Sequence, residues 1–111
     1  MLRINDKEIY LTRGDTLDLL LEIYLEDGTP YEIQGSDVIR FVLKQNYDDE
    51  VVLIEKIIDH EMLNLRLEAE ETKLLEADNK PYVFDIELIK TDGTVDTFID
   101  QGELHITREV D

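Results

Sequence analysis

The chain has 111 residues, no cysteine and a formal net charge of −17, from 28 acidic against 11 basic side chains. Its length predicts one domain over residues 1–111, and the lack of cysteine excludes disulfides and thiolate metal sites. The charge argues against nucleic acid and anionic membranes as partners, because phosphate binding requires Lys and Arg. Most of the acid lies in residues 45–111, which hold nineteen acidic against six basic residues.

The sequence has no apolar run approaching the ~18 residues that a membrane helix needs and no secretory leader pattern at its N-terminus. We therefore expect synthesis and folding in the cytoplasm, without a membrane-bound state. The acidity itself has two interpretations. It is either a means of staying in solution or an imitation of nucleic-acid phosphates.

Apolar and polar residues alternate with a period of two along most of the chain, which predicts half-buried β-strands. In chain order the predicted strands are 8–12, 16–26, 38–44, 51–58, 62–68, 82–90 and 103–110. Segments 38–44 and 51–58 are apolar on both faces, as a covered central strand or a packed edge would be. The residues expected in the core are Leu17, Leu19, Leu21, Ile23, Phe41, Leu65, Leu67, Phe84 and Ile86.

One short helix is predicted at about 69–77, because this segment is rich in helix formers and begins with acids that suit the helix dipole. Tyr82 starts the next strand, where the hydroxyl of a tyrosine corner would bond back to the connecting backbone. Seven strands at regular spacing, with Asp-Gly turns between them, predict an all-β, immunoglobulin-like antiparallel β-sandwich of about seven strands with one short helix before the sixth.

No catalytic or cofactor-binding residues are predicted, and no cofactor. Ser36 is the one serine and lies outside any Gly-x-Ser-x-Gly pattern. His60 and His105 are expected to be solvated surface residues. No metal site is assigned, although the acidic stretch 48–50, beginning at Asp48, is a weak calcium candidate. The tripeptide 13–15, Arg-Gly-Asp, links two predicted strands and is interpreted as structural.

Binding is the predicted mode of action, and four outward apolar residues are the candidate interface: Leu20, Tyr24, Val83 and Ile89. Each interrupts a polar outward face, and a patch of such side chains would mark an interface. The alternative is that loops or a covering strand bury them. Outward acids also form rows along two strands, at 18/22/26 and at 85/87, which keeps imitation of nucleic acid open as a second interpretation.

The order of motifs resembles a known family. The motifs are Thr12-Arg13-Gly14-Asp15-Thr16, Asp27-Gly28-Thr29-Pro30-Tyr31, Gly35-Ser36-Asp37, Ile39-Arg40-Phe41-Val42-Leu43-Lys44, Leu65-Arg66-Leu67 with Glu70-Glu71-Thr72, Tyr82-Val83-Phe84-Asp85-Ile86-Glu87-Leu88, Asp92-Gly93-Thr94 and Gly102-Glu103-Leu104-His105-Ile106. Together they are similar to the small immunoglobulin-like structural proteins of tailed phages and prophages of Gram-positive bacteria, in particular the N-terminal domain of siphophage upper-baseplate proteins.

The resemblance implies a non-enzymatic tail, baseplate or virion docking module that binds other phage structural proteins or a second copy of itself. Its final location would then be the virion. The alternative function is an acidic inhibitor protein that mimics nucleic acid and acts against a host or a defence system.

Overall fold

Seven β-strands and one short helix follow one another in the residues that the computed structural model describes, namely 8–24, 27–59, 61–77 and 80–108, with backbone only at 98–101. The elements are β1 (Glu8–Thr12), β2 (Leu17–Leu20), β3 (Val38–Lys44), β4 (Ile54–Ile58), β5 (Asn64–Leu67), α1 (Ala69–Thr72), β6 (Tyr82–Ile89) and β7 (Val95–Thr107). The prediction of an all-β chain with one short helix before the sixth strand is confirmed.

The strands form a five-stranded sheet of order β1-β7-β6-β3-β4 and a two-stranded sheet of β2 and β5. In an immunoglobulin sandwich the C, F and G strands are neighbours in one sheet and B and E belong to the other. Here β3, β6 and β7 take the first arrangement, and β2 with β5 takes the second. Four of the five ladders are antiparallel, but β1 pairs with β7 in parallel. The predicted antiparallel sandwich is confirmed, with this one parallel pair as the difference.

The core lies between the inner faces of the two sheets. Its buried side chains are Ile9, Leu17, Leu21, Ile23, Ile39, Phe41, Leu43, Ile54, Ile58, Leu65, Leu67, Leu75, Tyr82, Phe84, Ile86, Leu88, Leu104 and Ile106. At its centre the rings of Phe41 and Phe84 lie with centroids 5.5 Å apart in a tilted arrangement, which aromatic pairs prefer over face-to-face stacking. Eight of the nine predicted core residues are buried here, and Leu19 packs against them while partly exposed.

Tyr82 fixes the crossing from the small sheet to the large one. Its side chain is buried, and its hydroxyl accepts a hydrogen bond of 2.8 Å from the backbone N–H of Glu76. The bond returns to the segment that connects β5 to β6, as the tyrosine-corner prediction required.

The helix is shorter than predicted, since α1 ends at Thr72 rather than near residue 77. Thr72 is fully buried, and its hydroxyl donates to the Asp15 carbonyl at 2.8 Å and accepts from the Gly14 N–H at 3.2 Å. Beyond the helix, the Arg13 guanidinium donates to the carbonyls of Lys73 and Leu75 at 2.7 and 2.9 Å. The loop at 13–15 therefore holds the end of the helix, in agreement with its structural interpretation.

The second strand is also shorter than the predicted segment 16–26, of which residues 25 and 26 lie outside the described residues. Regular pairing stops where the partner strand stops, because Leu63 has a positive φ of 49° just before β5 begins. One further backbone bond, from Leu21 N to Leu63 O at 2.7 Å, closes the ladder. Leu21 and Ile23 are still buried, so alternation predicted burial correctly but overestimated the strand.

Asp37 is a buried charged residue that organises the segment before β3. Its carboxylate accepts hydrogen bonds of 2.9 Å from the Tyr31 hydroxyl and from the Gln34 N–H. Burial, together with the bond to Asp37, raises the pKa of Tyr31 to about 12. Paired in this way, the buried carboxylate avoids the cost of an unsatisfied charge.

The last strand begins at Val95, well before the predicted start at Glu103, and its register against β6 shifts next to Gly102. Gly102 lies directly opposite Phe84, and a Cβ placed on it would come within 2.4 Å of the phenyl ring. A glycine is required here because the ring occupies the space of a side chain. The predicted strand end at Val110 lies outside the described residues.

Candidate functional site at the edges of the larger sheet

The four predicted interface residues do not form one patch. Leu20 lies on β2 and is 69% exposed, whereas Tyr24 is half-buried and donates its hydroxyl to Glu22 Oε2 at 2.8 Å. That hydrogen bond raises the pKa of the Tyr24 phenol. Val83 and Ile89 belong to the other sheet, at opposite ends of β6, and both are half-buried.

Neighbouring residues explain the partial burial of the two β6 candidates. Val83 lines a small cavity of about 20 Å³ together with Val42 and Tyr47, the latter from the loop after β3. Ile89 is paired with Val38 on one side and Val95 on the other. A loop residue thus lies beside Val83, as the alternative interpretation expected, while Ile89 belongs to a short apolar row across three strands.

A larger set of exposed apolar side chains lies around β4, which forms one margin of the five-stranded sheet. We call it the β4-edge surface, and it consists of Val51, Val52, Leu53, Ile57 and Leu74. Val51, Ile57 and Leu74 are 68%, 63% and 78% exposed. β4 is the last strand of its sheet and pairs only with β3 in the described part of the chain. Its second edge is available for main-chain hydrogen bonds, which an added strand would use.

A groove of about 330 Å³ indents this surface. Its walls come from Leu53 and Ile54 on one side and from Leu74 and Leu75 on the other, and the Tyr82 ring also lines it. The loop before β4 and the turn after α1 face each other here because Tyr82 holds the backbone of the turn at Glu76. The groove is therefore a product of the tyrosine corner rather than of any local sequence motif.

One ion pair joins the strand and the helix at this margin. Lys56 Nζ lies 2.7 Å from Glu71 Oε1, with both side chains about one-quarter to one-third exposed. Burial acts to raise the pKa of Glu71, but the hydrogen bond and charge of Lys56 and a bond to the Glu68 backbone outweigh it and lower the pKa. Lys56 is thereby directed towards the helix, and Ile57 is left on the outer face.

The other margin of the sheet, at β1, is polar. Tyr10 stacks on His105 with ring centroids 4.3 Å apart and an interplanar angle of 11°. Although His105 faces outward as expected, it is half-buried, and its Nε2 is screened from solvent with no hydrogen-bond partner in the part of the chain that the structure describes. The prediction of a solvated side chain was wrong because the strand partner covers the ring. His60 lies outside the described residues.

The same margin brings three metal-ligating side chains together. One ring nitrogen of His105 and one carboxylate oxygen each from Glu8 and Glu103 lie within 4.8 Å of one another. Sequence reasoning missed this group, since Glu8 and Glu103 come from opposite ends of the chain and become neighbours only through the parallel register. The sequence contained one signal of this group, the pattern Glu-x-His at 103–105, which places two possible metal ligands on the same face of a strand.

The predicted acid rows are partly neutralised by basic residues. Arg66 lies between Asp18 and Glu68, at 3.1 and 2.8 Å. Arg40 lies 2.8 Å from Glu87, and Glu26 falls outside the described residues. Rows interrupted by guanidinium groups are a poor imitation of a phosphate backbone, which presents only negative charge.

The acidic stretch 48–50, the calcium candidate, lies in a turn. Asp49 Oδ2 accepts the Asn46 N–H at 3.1 Å, and Lys80 Nζ donates to Asn46 Oδ1 at 2.8 Å. In the described residues of this loop, three carboxylates do not converge on a common point.

Comparison with family models and with curated proteins gives no match. The sequence matches no protein-family model, and a search of curated proteins finds no significant similarity. In the described part of the chain, none of the helical structure is long and apolar enough to cross a membrane. The resemblance to phage structural proteins therefore stays a prediction.

Proposed function

We propose that this protein is a non-enzymatic docking module of a tailed-phage or prophage particle and that it binds its partner through the β4-edge surface. The observation that carries the proposal is the group of exposed apolar side chains beside a groove and a strand edge that is unpaired in the described residues. Natural proteins usually blunt such edges with charge, proline or a covering element. The two charges of β4, Glu55 and Lys56, are held in ion pairs with Arg40 and Glu71. The edge is otherwise flanked by Val51, Ile57 and Leu74, which are suited to burial against another chain.

The partner we expect is an extended segment of another particle protein that carries apolar residues flanked by Lys or Arg. Main-chain bonds to β4 would supply affinity, and the groove would accept one side chain of the segment. Basic flanks are expected because residues 45–111, from which the surface is built, carry thirteen more acidic than basic side chains. The same charge disfavours a second copy of this chain, since like charges repel on approach.

Incorporation into particles tests the proposal. A prophage-bearing strain that encodes the chain would be induced, and purified particles would be analysed by quantitative mass spectrometry for wild type, Ile57→Ser/Leu74→Ser and Leu20→Ser. Leu20 is the matched control because it is as exposed as the two tested residues but lies on the small sheet. We expect wild type and Leu20→Ser in the particles and the double variant outside them, still folded by circular dichroism.

Two results would contradict the proposal in different ways. Absence of the wild-type chain from purified particles would refute a virion role. Normal incorporation of the double variant would refute the β4-edge surface as the docking site. Light scattering on the purified chain completes the test, because a stable dimer broken by Ile57→Ser/Leu74→Ser would make a second copy the partner.

A further inference from the structure

We propose that Glu8, Glu103 and His105 form a binding site for a divalent cation of the zinc class at the β1–β7 edge. This site is independent of the docking surface, which lies at the other margin of the sheet.

Strand geometry places the donors on one face. Residues two apart on a strand point to the same side about 6.6 Å apart, and a neighbouring strand lies about 4.8 Å away. Glu103 and His105 are two apart on β7, and Glu8 is the register partner of Glu103 on β1. The three side chains therefore project from adjacent points of the outer face, and their donor atoms reach within 4.8 Å of one another.

The donor set favours zinc over calcium or magnesium. Ca²⁺ and Mg²⁺ take oxygen ligands, whereas an imidazole nitrogen with carboxylates suits Zn²⁺ and related transition metals. Donors around a tetrahedral zinc at 2.0–2.1 Å lie about 3.3 Å apart. Small rotations of the two glutamate side chains would close the present separation to that value. Three protein ligands would leave one position on the ion for water.

The state of the His105 ring supports the site. Among the described residues its Nε2 is buried and has no hydrogen-bond partner, a state that costs free energy unless a ligand satisfies it. Tyr10 stacks on the ring and holds its plane, so the orientation is already set before any ion binds. The two carboxylates next to it would repel each other, and a dication would turn that repulsion into attraction.

Bound metal would join β1, from one end of the chain, to β7, from the other. The parallel ladder between them is a margin of the sheet, and an ion held by both strands would fix its register. Since such an ion binds the folded chain and not the unfolded one, it would also raise the melting temperature by mass action.

Calorimetric titration of the tag-free protein with ZnCl₂ tests the site, with CaCl₂ and MgCl₂ as comparison ions. We expect one Zn²⁺ per chain and affinity at least about tenfold weaker in His105→Gln and in Glu103→Gln, given that even outer partners of metal ligands contribute 10–100-fold. Zinc should also raise the melting temperature of wild type. His60→Gln and Glu55→Gln are the matched controls, a second histidine and another outward acid, and both should bind as wild type does.

The proposal is overturned if wild type does not bind zinc, if calcium binds as tightly as zinc, or if His105→Gln binds zinc like wild type. Circular dichroism of each variant accompanies the titration. Should His105→Gln lose its fold, Glu8→Gln at the exposed start of β1 gives the same test, because it removes a ligand without disturbing the Tyr10–His105 stack.

Discussion

The five-stranded sheet ends differently on its two sides. At the β4 margin, Ile57 on the strand, the apolar residues 51–53 just before it and Leu74 after α1 are exposed, and a groove lies beside them. At the other margin, the outer face of β1 and β7 carries two glutamates and a histidine whose ring stacks on Tyr10. Both edges have unpaired backbone within the described residues, but one is lined by apolar side chains and the other by two carboxylates and an imidazole. Side chains, rather than the fold, thus distinguish the two edges.

The largest expected effect comes from the core that both edges share. Phe84→Ala should lower the free energy of unfolding by ~3–5 kcal/mol, the usual cost of a large cavity in a packed core. Because Phe84 packs centrally against Phe41, we expect hydrogen exchange to accelerate at β1 and at β4 together. Urea unfolding and peptide-resolved hydrogen exchange measure the two effects, with half-buried Val83→Ala as the control. Faster hydrogen exchange at only one of the two strands would show that β1 and β4 are stabilised by separate cores.

A smaller effect should be confined to the apolar edge. Tyr82→Phe removes the hydroxyl that accepts the Glu76 N–H, and one such hydrogen bond contributes ~1 kcal/mol. We expect that loss of stability in urea unfolding, together with faster exchange in α1 and the following turn. Tyr10→Phe is the counterpart at the other edge, where the side chain is 66% exposed, and its effect should stay within ~0.5 kcal/mol. Equal losses from the two variants would contradict the tyrosine-corner assignment.

Protonation of Glu71 at low pH should lower the stability of the β4 margin. Its pKa in the folded protein is lowered from the ordinary value of 4.5, so folding favours the charged carboxylate. The stabilisation is therefore complete above pH 4.5 and is lost as the pH falls through the lower folded-state value. Hydrogen exchange at β4 and α1, corrected for intrinsic rates, should accelerate over this range in wild type.

Glu71→Gln isolates that contribution. At neutral pH, β4 and α1 of this variant should be less protected from hydrogen exchange than in wild type, and acidification should reduce that protection only slightly further. Glu70→Gln, which changes the exposed neighbouring residue, should behave as wild type does. An acid-induced loss of protection of the same size in Glu71→Gln would assign the effect to other carboxylates.

The smallest effect on stability is expected at the β4-edge surface itself. Leu74 is 78% exposed, so Leu74→Ser should change the free energy of unfolding by no more than ~0.5 kcal/mol. Leu75→Ser, one residue further, removes a buried side chain and should cost ~2–5 kcal/mol. Thermal unfolding of the two variants side by side measures the difference. A large loss from Leu74→Ser would mean that the side chain supports the fold and is not held free for a partner.

Alternation and turn chemistry were enough to predict the sandwich, its seven strands and most of its core, because both depend on neighbours along the chain. Leu17, Leu65 and Ile86 are buried, as a period of two requires. Tyr82 could be assigned for the same reason, since its partner lies only six residues away.

What the sequence did not predict depends on contacts between distant segments. The shortening of the second strand follows from Leu63 on its partner, and the Glu8–Glu103 neighbourhood follows from a parallel register between the chain's two ends. The β4-edge surface has a visible signal in three consecutive apolar residues, 51–53, which a single strand cannot bury on one face. Alternation had assigned them to a covered strand or a packed edge, and only the sheet order shows that β4 is an edge.

Gly102 and Phe84 occupy what is in effect one side-chain volume divided between two strands, with the ring standing where a Cβ at position 102 would be. Neither position is free to vary alone. In homologous sequences we expect the two to covary, so that any chain with alanine or a larger residue at 102 carries a smaller residue than phenylalanine at 84. Such compensating pairs would be a record of this cross-strand contact that can be read from an alignment without any structure.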